Sequence, residues 1–363
     1  MSEQTTATQH FPCPGCGSRV EYAPGTGSMR CPYCGYTQQI EAPRQAIVEH
    51  SYDQWYAGPR KPVAAVGRYV FTCQGCAART ETDKVSDRCQ FCGAPVVADT
   101  AGGELIVPEV VVPFHLGQPQ VRDAFGKWVK SRWFAPTSLK KVGATEQLAG
   151  TYLPHWTFDS DTTTDYTGQR GTYYYVTETY TEQVNGQTVT KTRQVRHTRW
   201  SPASGTVARA FDDLLVPATT TLPDKQLQKL TPWALSSGVP FQPAYLSGYQ
   251  TLRYDVEPDS GLVTAKAIMH PIIEKDCRTD IGGDEQRVGT MDTRYAQTMF
   301  KLVLLPVWIA AYLHAGKTWQ VMINANTGEV IGERPYSPGK IAAAVLALVA
   351  LITLIIVIYA VSR

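Results

Sequence analysis

Eight of the nine cysteines in this 363-residue chain fall in four Cys-x-x-Cys pairs within the first 92 residues. Fourteen residues separate the first two pairs, and twelve separate the last two. Two residues between paired cysteines let one tight turn direct both sulfurs at a single ion, while the longer insertion forms a hairpin that brings the second pair opposite. The spacing predicts two closed, structural Zn²⁺ sites, with ligands Cys13, Cys16, Cys31, Cys34 and Cys73, Cys76, Cys89, Cys92.

Two other uses of these cysteines remain open from the residues alone. Disulfides require an oxidising compartment, and redox-active dithiols require a thioredoxin-like helix start, of which the sequence shows no pattern. Gly17, Gly35 and Gly93 directly follow a cysteine pair, which favours a backbone of positive φ as the chain leaves a metal. The ninth cysteine, Cys277, is predicted to be a lone buried thiol.

The charge of the cysteine-rich region argues against nucleic acid. Residues 1–100 carry nine basic and nine acidic side chains, and the whole chain has a formal charge of only +2. Each four-thiolate zinc site adds about −2, so the metal-bound region would be net negative, unlike a phosphate-binding surface. Protein binding is therefore expected, and a membrane-tethered nucleic-acid binder is the alternative.

The segment 341–361 contains no charged residue and predicts a single transmembrane helix. About 20 apolar residues span the hydrocarbon core of a bilayer, and the competing interpretation is a buried core helix. Residues 1–10 are polar and show no signal peptide, so we expect a tail anchor at the cell membrane with the amino-terminal body in the cytoplasm.

Between the cysteine pairs and the span, residues 103–335 predict a mostly antiparallel β body with two amphipathic helices, over 118–134 and 261–277. Pro271 is expected to kink or interrupt the second helix. The segments around Trp156 and Trp308 share the pattern Leu-Pro-x-Trp and suggest an internal duplication of a strand–helix–strand unit, with residues 241–243 as one counterpart. Pro154 and Pro306 predict strand starts or edge strands, because proline donates no ladder hydrogen bond. The aromatic residues are interpreted as core, with a ligand pocket as the alternative.

An Asn-Gly pair at 185–186 predicts a type I′ hairpin between two long runs of β-forming residues. A two-residue turn places Glu178 opposite Arg193 and Tyr180 opposite Lys191. The arms are mostly polar, so the hairpin is expected to project from the body. Its cations are either solvated or a contact for an acidic partner or for lipid headgroups: Lys191, Arg193, Arg196 and Arg199.

Together these patterns predict an α+β chain with zinc ribbons over 1–40 and 69–100, a linker over 41–68, the body and the span. No phosphate loop, dinucleotide fingerprint, nucleophile elbow or paired-histidine metal helix is visible, and the seven histidines are dispersed. We therefore expect no enzyme activity; an unfamiliar active site would need a polar, concave surface in the body.

The cysteine pairs, the Leu-Pro-x-Trp segments, the sequence Asn-Thr-Gly-Glu-Val-Ile-Gly-Glu-Arg-Pro-Tyr and the carboxyl-terminal span together resemble a bacterial family of tail-anchored zinc-ribbon proteins. Members carry labels such as transcription-factor-IIB-type zinc ribbon or primosomal-protein-like. The resemblance implies an adaptor or scaffold that recruits partners at the cytoplasmic membrane face in envelope stress, among them SPFH-domain or phage-shock proteins. Gln74 and Gln90 depart from the usual Cys-Pro-x-Cys knuckle, and no helicase motor motif supports the primosomal label.

Overall fold

The computed structural model describes residues 11–41, 46–58, 69–73, 78–82, 86–91, 95–99, 106–132, 134, 148–184, 187–314, 317–332 and 337–361. The chain has a mixed α+β fold made mostly of strands. The strands are β1 Glu21–Ala23, β2 Ser28–Arg30, β3 Thr37–Gln39, β4 His50–Ser51, β5 Tyr69–Thr72, β6 Arg79–Thr82, β7 Ser86–Arg88, β8 Pro95–Asp99, β9 Val110–Val111, β10 Ala149–Val184, β11 Gln187–Pro217, β12 Val239–Pro240, β13 Gln250–Leu252, β14 Glu285–His314, β15 Lys317–Asn324 and β16 Val330–Gly332. The α-helices are α1 Tyr52–Ala57, α2 Gln118–Lys130, α3 Asp224–Leu227, α4 Pro258–Ile281 and α5 Pro338–Val361.

The centre of the molecule is the antiparallel pair β10 and β14, which run side by side from Ala149↔Ile309 to Gly171↔Glu285. Their inner halves, residues 151–158 and 300–309, are buried throughout, because other elements cover them. Trp156 is fully buried and Trp308 is 3% exposed, which agrees with the interpretation of these aromatics as core.

Pro154 and Pro306 lie inside this central pair, so the prediction that they mark strand starts or edges is wrong. Pro154 pairs with Leu304, and Pro306 pairs with Tyr152. The carbonyl of Pro154 accepts from the Ala218 amide at 3.1 Å, so its nitrogen points to that same side, away from β14. On that side of β10, the pairing with β13 ends at Tyr152 and the pairing with β11 begins at His155. Pro154 lies between the two, so its missing N–H costs no hydrogen bond of the sheet.

The surroundings of the two prolines repeat in detail. The Pro306 carbonyl accepts from Ala325 at 3.1 Å, as the Pro154 carbonyl does from Ala218. β9 pairs in parallel with β14 through Val110↔Val303, and β13 pairs in parallel with β10 through Gln250↔Thr151. This geometry agrees with the predicted duplication. The counterpart of β9 is β13, however, and not residues 241–243, which precede or enter a 3₁₀ helix over Pro243–Leu246.

Each repeated unit carries one of the two predicted helices. α2 begins at Gln118 with Pro119 in its first turn, ends at Lys130, and buries Val121, Phe125 and Val129. α4 runs through Pro271 without the interruption that was one of the two expected outcomes, and that proline lies on the exposed side of the helix. The buried stripe of α4 recurs every three to four residues and packs on the long strands: Leu262, Ala265, Met269, Ile273, Cys277 and Ile281.

β10 and β11 continue beyond the body as a two-stranded arm. β14 stops pairing with β10 at Gly171, whereas β10 and β11 pair on from Thr172↔Arg199 to Val184↔Gln187. The register confirms the predicted opposition of Glu178 to Arg193. Thirteen residue pairs at about 3.3 Å each make an arm of roughly 40 Å.

α5 closes the described chain as an apolar helix. Within the described residues, Gly339–Val361 is the one helix long and apolar enough to cross a membrane, and none of it is buried against the rest of the protein. Exposure along its whole length excludes the competing interpretation of a buried core helix.

Candidate metal centre

The first cysteine cluster is built by the three-stranded meander β1–β2–β3 and two matching turns. The Gly17 amide donates to the Cys13 carbonyl at 2.8 Å, and the Gly35 amide donates to the Cys31 carbonyl at 3.1 Å. Gly17 and Gly35 have φ of +72° and +76°, as predicted, because the chain reverses directly after each sulfur pair. Gly93 lies outside the described residues.

The four sulfurs converge as a single ligand set. Sγ of Cys13 lies 3.4 Å from Sγ of Cys34, and Sγ of Cys16 lies 3.6 Å from Sγ of Cys31. All four lie within 4.8 Å of one another. A tetrahedral ion with Zn–S bonds of about 2.3 Å separates its sulfurs by about 3.8 Å, so the cluster fits one metal ion. None of the seven described cysteines forms a disulfide.

Backbone amides favour the thiolate that a metal requires at Cys31, whereas at Cys16 and Cys34 the backbone hydrogen bond is outweighed by the neighbouring sulfurs and the pKa of both thiols is raised. The Cys34 amide, and after it the Tyr33 amide, donates to Cys31 and lowers the pKa of that thiol to about 6. Cys13 and Cys31 are buried, whereas Cys16 and Cys34 are exposed, so the site lies at the surface with one sulfur of each turn facing inward. Four protein ligands leave no open coordination position for a substrate.

The meander packs directly on the body. The Tyr22 amide donates to the Ser247 carbonyl at 2.9 Å, and the Ser247 hydroxyl donates to the Val20 carbonyl at 2.7 Å. The Tyr22 ring is 5.3 Å from Tyr245 and 6.3 Å from Tyr249, inside the core that also contains Phe114. Folding of the metal site is therefore coupled to the body core.

The second cysteine group is described in part: Cys73 and Cys89 are buried, and Cys76 and Cys92 lie outside the described residues. The Cys73 amide donates to the Ala78 carbonyl at 2.9 Å. Over the same five-residue spacing, the Cys13 amide donates to the Ser18 carbonyl at 2.5 Å, and the Cys31 amide donates to the Tyr36 carbonyl at 2.8 Å. The backbone at Cys73 thus has the hydrogen bond of the first two turns.

This second region also belongs to the central sheet. β6 pairs with β13, and Cys73 and Cys89 pack in one cluster with Leu153 and Val307. The Thr151 hydroxyl donates to the amide oxygen of buried Gln90. Gln90, one of the two glutamines that depart from the common knuckle, therefore contacts the body and is not an exposed docking residue, while Gln74 lies outside the described residues.

The four cations predicted for partner binding all lie on the arm, in two different settings. Lys191 pairs with Glu182 at 2.6 Å, and Arg193 pairs with Glu178 at 3.0 Å. Arg196 stacks on Tyr173 at 4.2 Å, and Arg199 stacks on Tyr174 at 5.3 Å. The first two cations are neutralised by cross-strand partners, while the other two present an aromatic and cationic surface.

Sequence patterns did not indicate a second polar cluster, which lies within the body where β4, β10 and β14 meet. Carboxylate oxygens of Glu49, Asp159 and Asp213 lie within 4.8 Å of one another. The Lys301 ammonium is 2.5 Å from Glu49 and 2.6 Å from Asp213. Burial, and after it the neighbouring Glu49, raises the pKa of Asp159 to about 6. Because Lys301 already supplies a cation, the cluster is an internal ion-pair network. Its residues are far apart in the sequence and are brought together by strand pairing.

Comparison with known proteins gives one informative match. The chain is 26% identical to the uncharacterized protein YdjG of Bacillus subtilis (strain 168) over 337 residues, which cover 92% of each chain. No family model matches the sequence, and no solved structure matches it. The match covers nearly the full length of both proteins.

Proposed function

We propose that this protein is a non-catalytic adaptor held in the cytoplasmic membrane by α5, with its body in the cytoplasm. In this proposal two structural Zn²⁺ ions fold the cysteine-rich regions, one at Cys13, Cys16, Cys31 and Cys34 and one at Cys73, Cys76, Cys89 and Cys92. The closed four-sulfur geometry supports the first ion, and the backbone hydrogen bond from Cys73 to Ala78, which matches those of the first site, supports the second. The resemblance to tail-anchored zinc-ribbon proteins supports SPFH-domain or phage-shock proteins as partners.

The arm is the observation that carries the adaptor role. An isolated two-stranded hairpin is at best marginally stable in water. The arm extends for roughly 40 Å without a third strand, so it adds nothing to the hydrophobic core of the body. It exposes Tyr174, Tyr175 and Tyr180 together with Arg196 and Arg199. Tyrosine and arginine dominate the binding energy of protein interfaces, and the register fixes their positions in advance of binding.

A deletion of the outer arm tests this proposal. Residues 174–197 are replaced by Asn-Gly, which keeps the pair Tyr173↔Thr198 and restores a two-residue turn. The tagged full-length protein and the variant are purified from detergent-solubilised, nuclease-treated membranes, and the captured proteins are identified by mass spectrometry. We expect the variant to keep its metal and its membrane association and to lose its partners.

The matched control is the double substitution E178Q/E182Q, which removes two carboxylates from the arm and leaves the exposed tyrosines and arginines in place. It should retain the partners. An identical set of captured proteins with and without the arm contradicts the adaptor role of this element. Capture that nuclease abolishes and that falls steeply with salt favours instead a membrane-tethered nucleic-acid binder.

A further inference from the structure

The segment that follows α2 is hydrogen-bonded to the residue directly before the apolar helix. The Ser337 amide donates to the Phe134 carbonyl at 2.9 Å, and the Ser337 carbonyl accepts from Ile341 in the first turn of α5. Lys340 follows three residues later, about 5 Å along the helix axis. The carboxyl-terminal end of α2 is thus placed wherever the membrane span begins.

The length of α5 puts that point in the headgroup region. Gly339–Val361 is 23 residues, or about 35 Å of helix, against about 30 Å of hydrocarbon. Phe134 therefore lies at the level of the polar headgroups. Arg132 is two residues from Phe134 and so lies within about 7 Å of it, inside the Debye length of about 8 Å, and Lys130 lies within about 14 Å.

The side chains at this end of α2 suit an anionic lipid surface. Lys127 and Lys130 are exposed, Arg132 lies 5.3 Å from the centre of the Trp128 ring, and Phe134 is 37% exposed. Aromatic side chains concentrate at membrane interfaces, and basic clusters beside a span bind anionic headgroups.

The opposing charges on this surface are few. Asp123 lies one turn earlier on α2, and Glu329 lies across a groove of about 520 Å³ that both carboxylates line with Lys127 and Trp128. With Lys340 the surface holds four cations against these two carboxylates, although the whole chain is only +2. Lys140, Lys141 and Arg334 lie outside the described residues.

We propose that the last turn of α2 and the residues after it, from Lys127 to Phe134, dock on the anionic phospholipid headgroups of the leaflet from which α5 enters the bilayer. This contact fixes the orientation of the body on the membrane and so sets the direction in which the arm extends. It rests on the proposed membrane placement of α5. A bilayer is favoured over an acidic protein because the bond between Ser337 and Phe134 brings α2 to the span.

Amide hydrogen exchange of the full-length protein in nanodiscs tests the contact. Discs of phosphatidylcholine are compared with discs that contain about one third phosphatidylglycerol. Each Lys or Arg near an anionic surface contributes about fivefold in binding, which corresponds to about 1 kcal/mol. We therefore expect exchange in residues 126–132 to slow at least tenfold in the anionic discs, and K127E/K130E to abolish that difference.

K229E/K275E is the matched control, because both lysines are exposed and the variant changes the charge by the same amount. It should keep the lipid-dependent protection. Equal amide exchange of α2 in both discs for the wild type overturns the proposal. The proposal is also overturned if K127E/K130E loses its captured proteins while the exchange of α2 does not depend on the lipid. Carbonate extraction separates the two proposals: wild type released from membranes rejects the span itself, whereas retained protein with lipid-independent exchange rejects only the α2 contact.

Discussion

At the scale of single residues, His155 is a buried base with a predictable pH effect. Its imidazole is enclosed between the Leu153 carbonyl, at 3.4 Å, and Trp233, at 5.9 Å between ring centres. Burial lowers the pKa of His155 to about 4, against 6.5 for an exposed histidine. Between these values the unfolded chain binds the extra proton, so the stability held above pH 6.5 is lost as pH falls toward 4.

We expect His155 to lower the free energy of unfolding by roughly 2 kcal/mol at pH 5 relative to pH 8. The measurement is thermal unfolding of the full-length protein in detergent at both pH values, for the wild type and for H155Q. The ionised form of Asp159 is disfavoured in the folded protein, so its contribution has the opposite sign, and the thiolates titrate as well. Both are common to the two proteins and cancel in the difference. A pH dependence that H155Q leaves unchanged contradicts this account.

The cysteine cluster gives a second prediction at this scale. Cys31 is buried and thiolate-favouring, so C31S should remove the metal from the first site and lower the bound zinc by one ion per chain. Because Tyr22 joins the meander to the core of the body, the same change should lower the melting temperature of the whole soluble part. C277S, which changes a buried thiol on α4, should keep the full metal content. Atomic emission of purified protein measures both, and equal zinc in C31S and wild type would falsify the assignment.

Residue types predicted the metal site better than the ion-pair cluster for a physical reason. Metal ligands within a knuckle are close in sequence, so their spacing reveals the site. Glu49, Asp159 and Lys301 are more than a hundred residues apart, and they meet only through the pairing of β4, β10 and β14. No local pattern carries that information.

At the scale of elements, the repeated units predict matched effects of mutation. The Trp156 indole donates to the Val256 carbonyl at 2.8 Å, and the Trp308 indole donates to the Leu116 carbonyl at 2.9 Å. Trp156 thereby joins β10 to the segment that leads into α4, and Trp308 joins β14 to the segment that leads into α2. W156F and W308F should each lower the free energy of unfolding by about 1–3 kcal/mol, because a partly buried carbonyl loses its donor.

Trp200 provides the comparison for these two variants. It lies at the base of the arm with Arg287 stacked 3.9 Å from its ring centre, and it is only half-buried. W200F should therefore cost less than either core variant. Chemical denaturation of the three variants in detergent checks the order, and a W308F variant as stable as W200F would show that the two units are not equivalent in energy.

Local signals predicted elements well where one residue pair or period decides the geometry. The register predicted from a two-residue turn agrees with the pairing of the arm, although the turn itself, residues 185–186, lies outside the described residues, and the apolar spacing located α2 and α4. The prediction that Pro154 and Pro306 mark strand starts or edge strands is wrong because it takes a strand to have the same neighbour along its whole length. β10 changes partner from β13 to β11 beside Pro154, and only the assembled sheet shows this exchange.

At the scale of the whole molecule, the apolar helix and the body are separate in their packing. None of the span is buried against the body, so changes within it should leave the fold and the metal content unaltered. Two arginines near the bilayer centre, L348R/L351R, add roughly 5–7 kcal/mol to the cost of insertion. We expect this variant to appear in the carbonate-soluble fraction with the zinc content of the wild type.

The same two arginines near the ends of the span are the control for this prediction. In I341R/Y359R the long side chains reach the headgroups, so the protein should stay in the membrane fraction. Equal extraction of both variants would show that residues 339–361 do not cross the bilayer. Extraction of the central variant together with loss of zinc would show that the body needs the span to fold, which the absence of buried contacts from the described helix argues against.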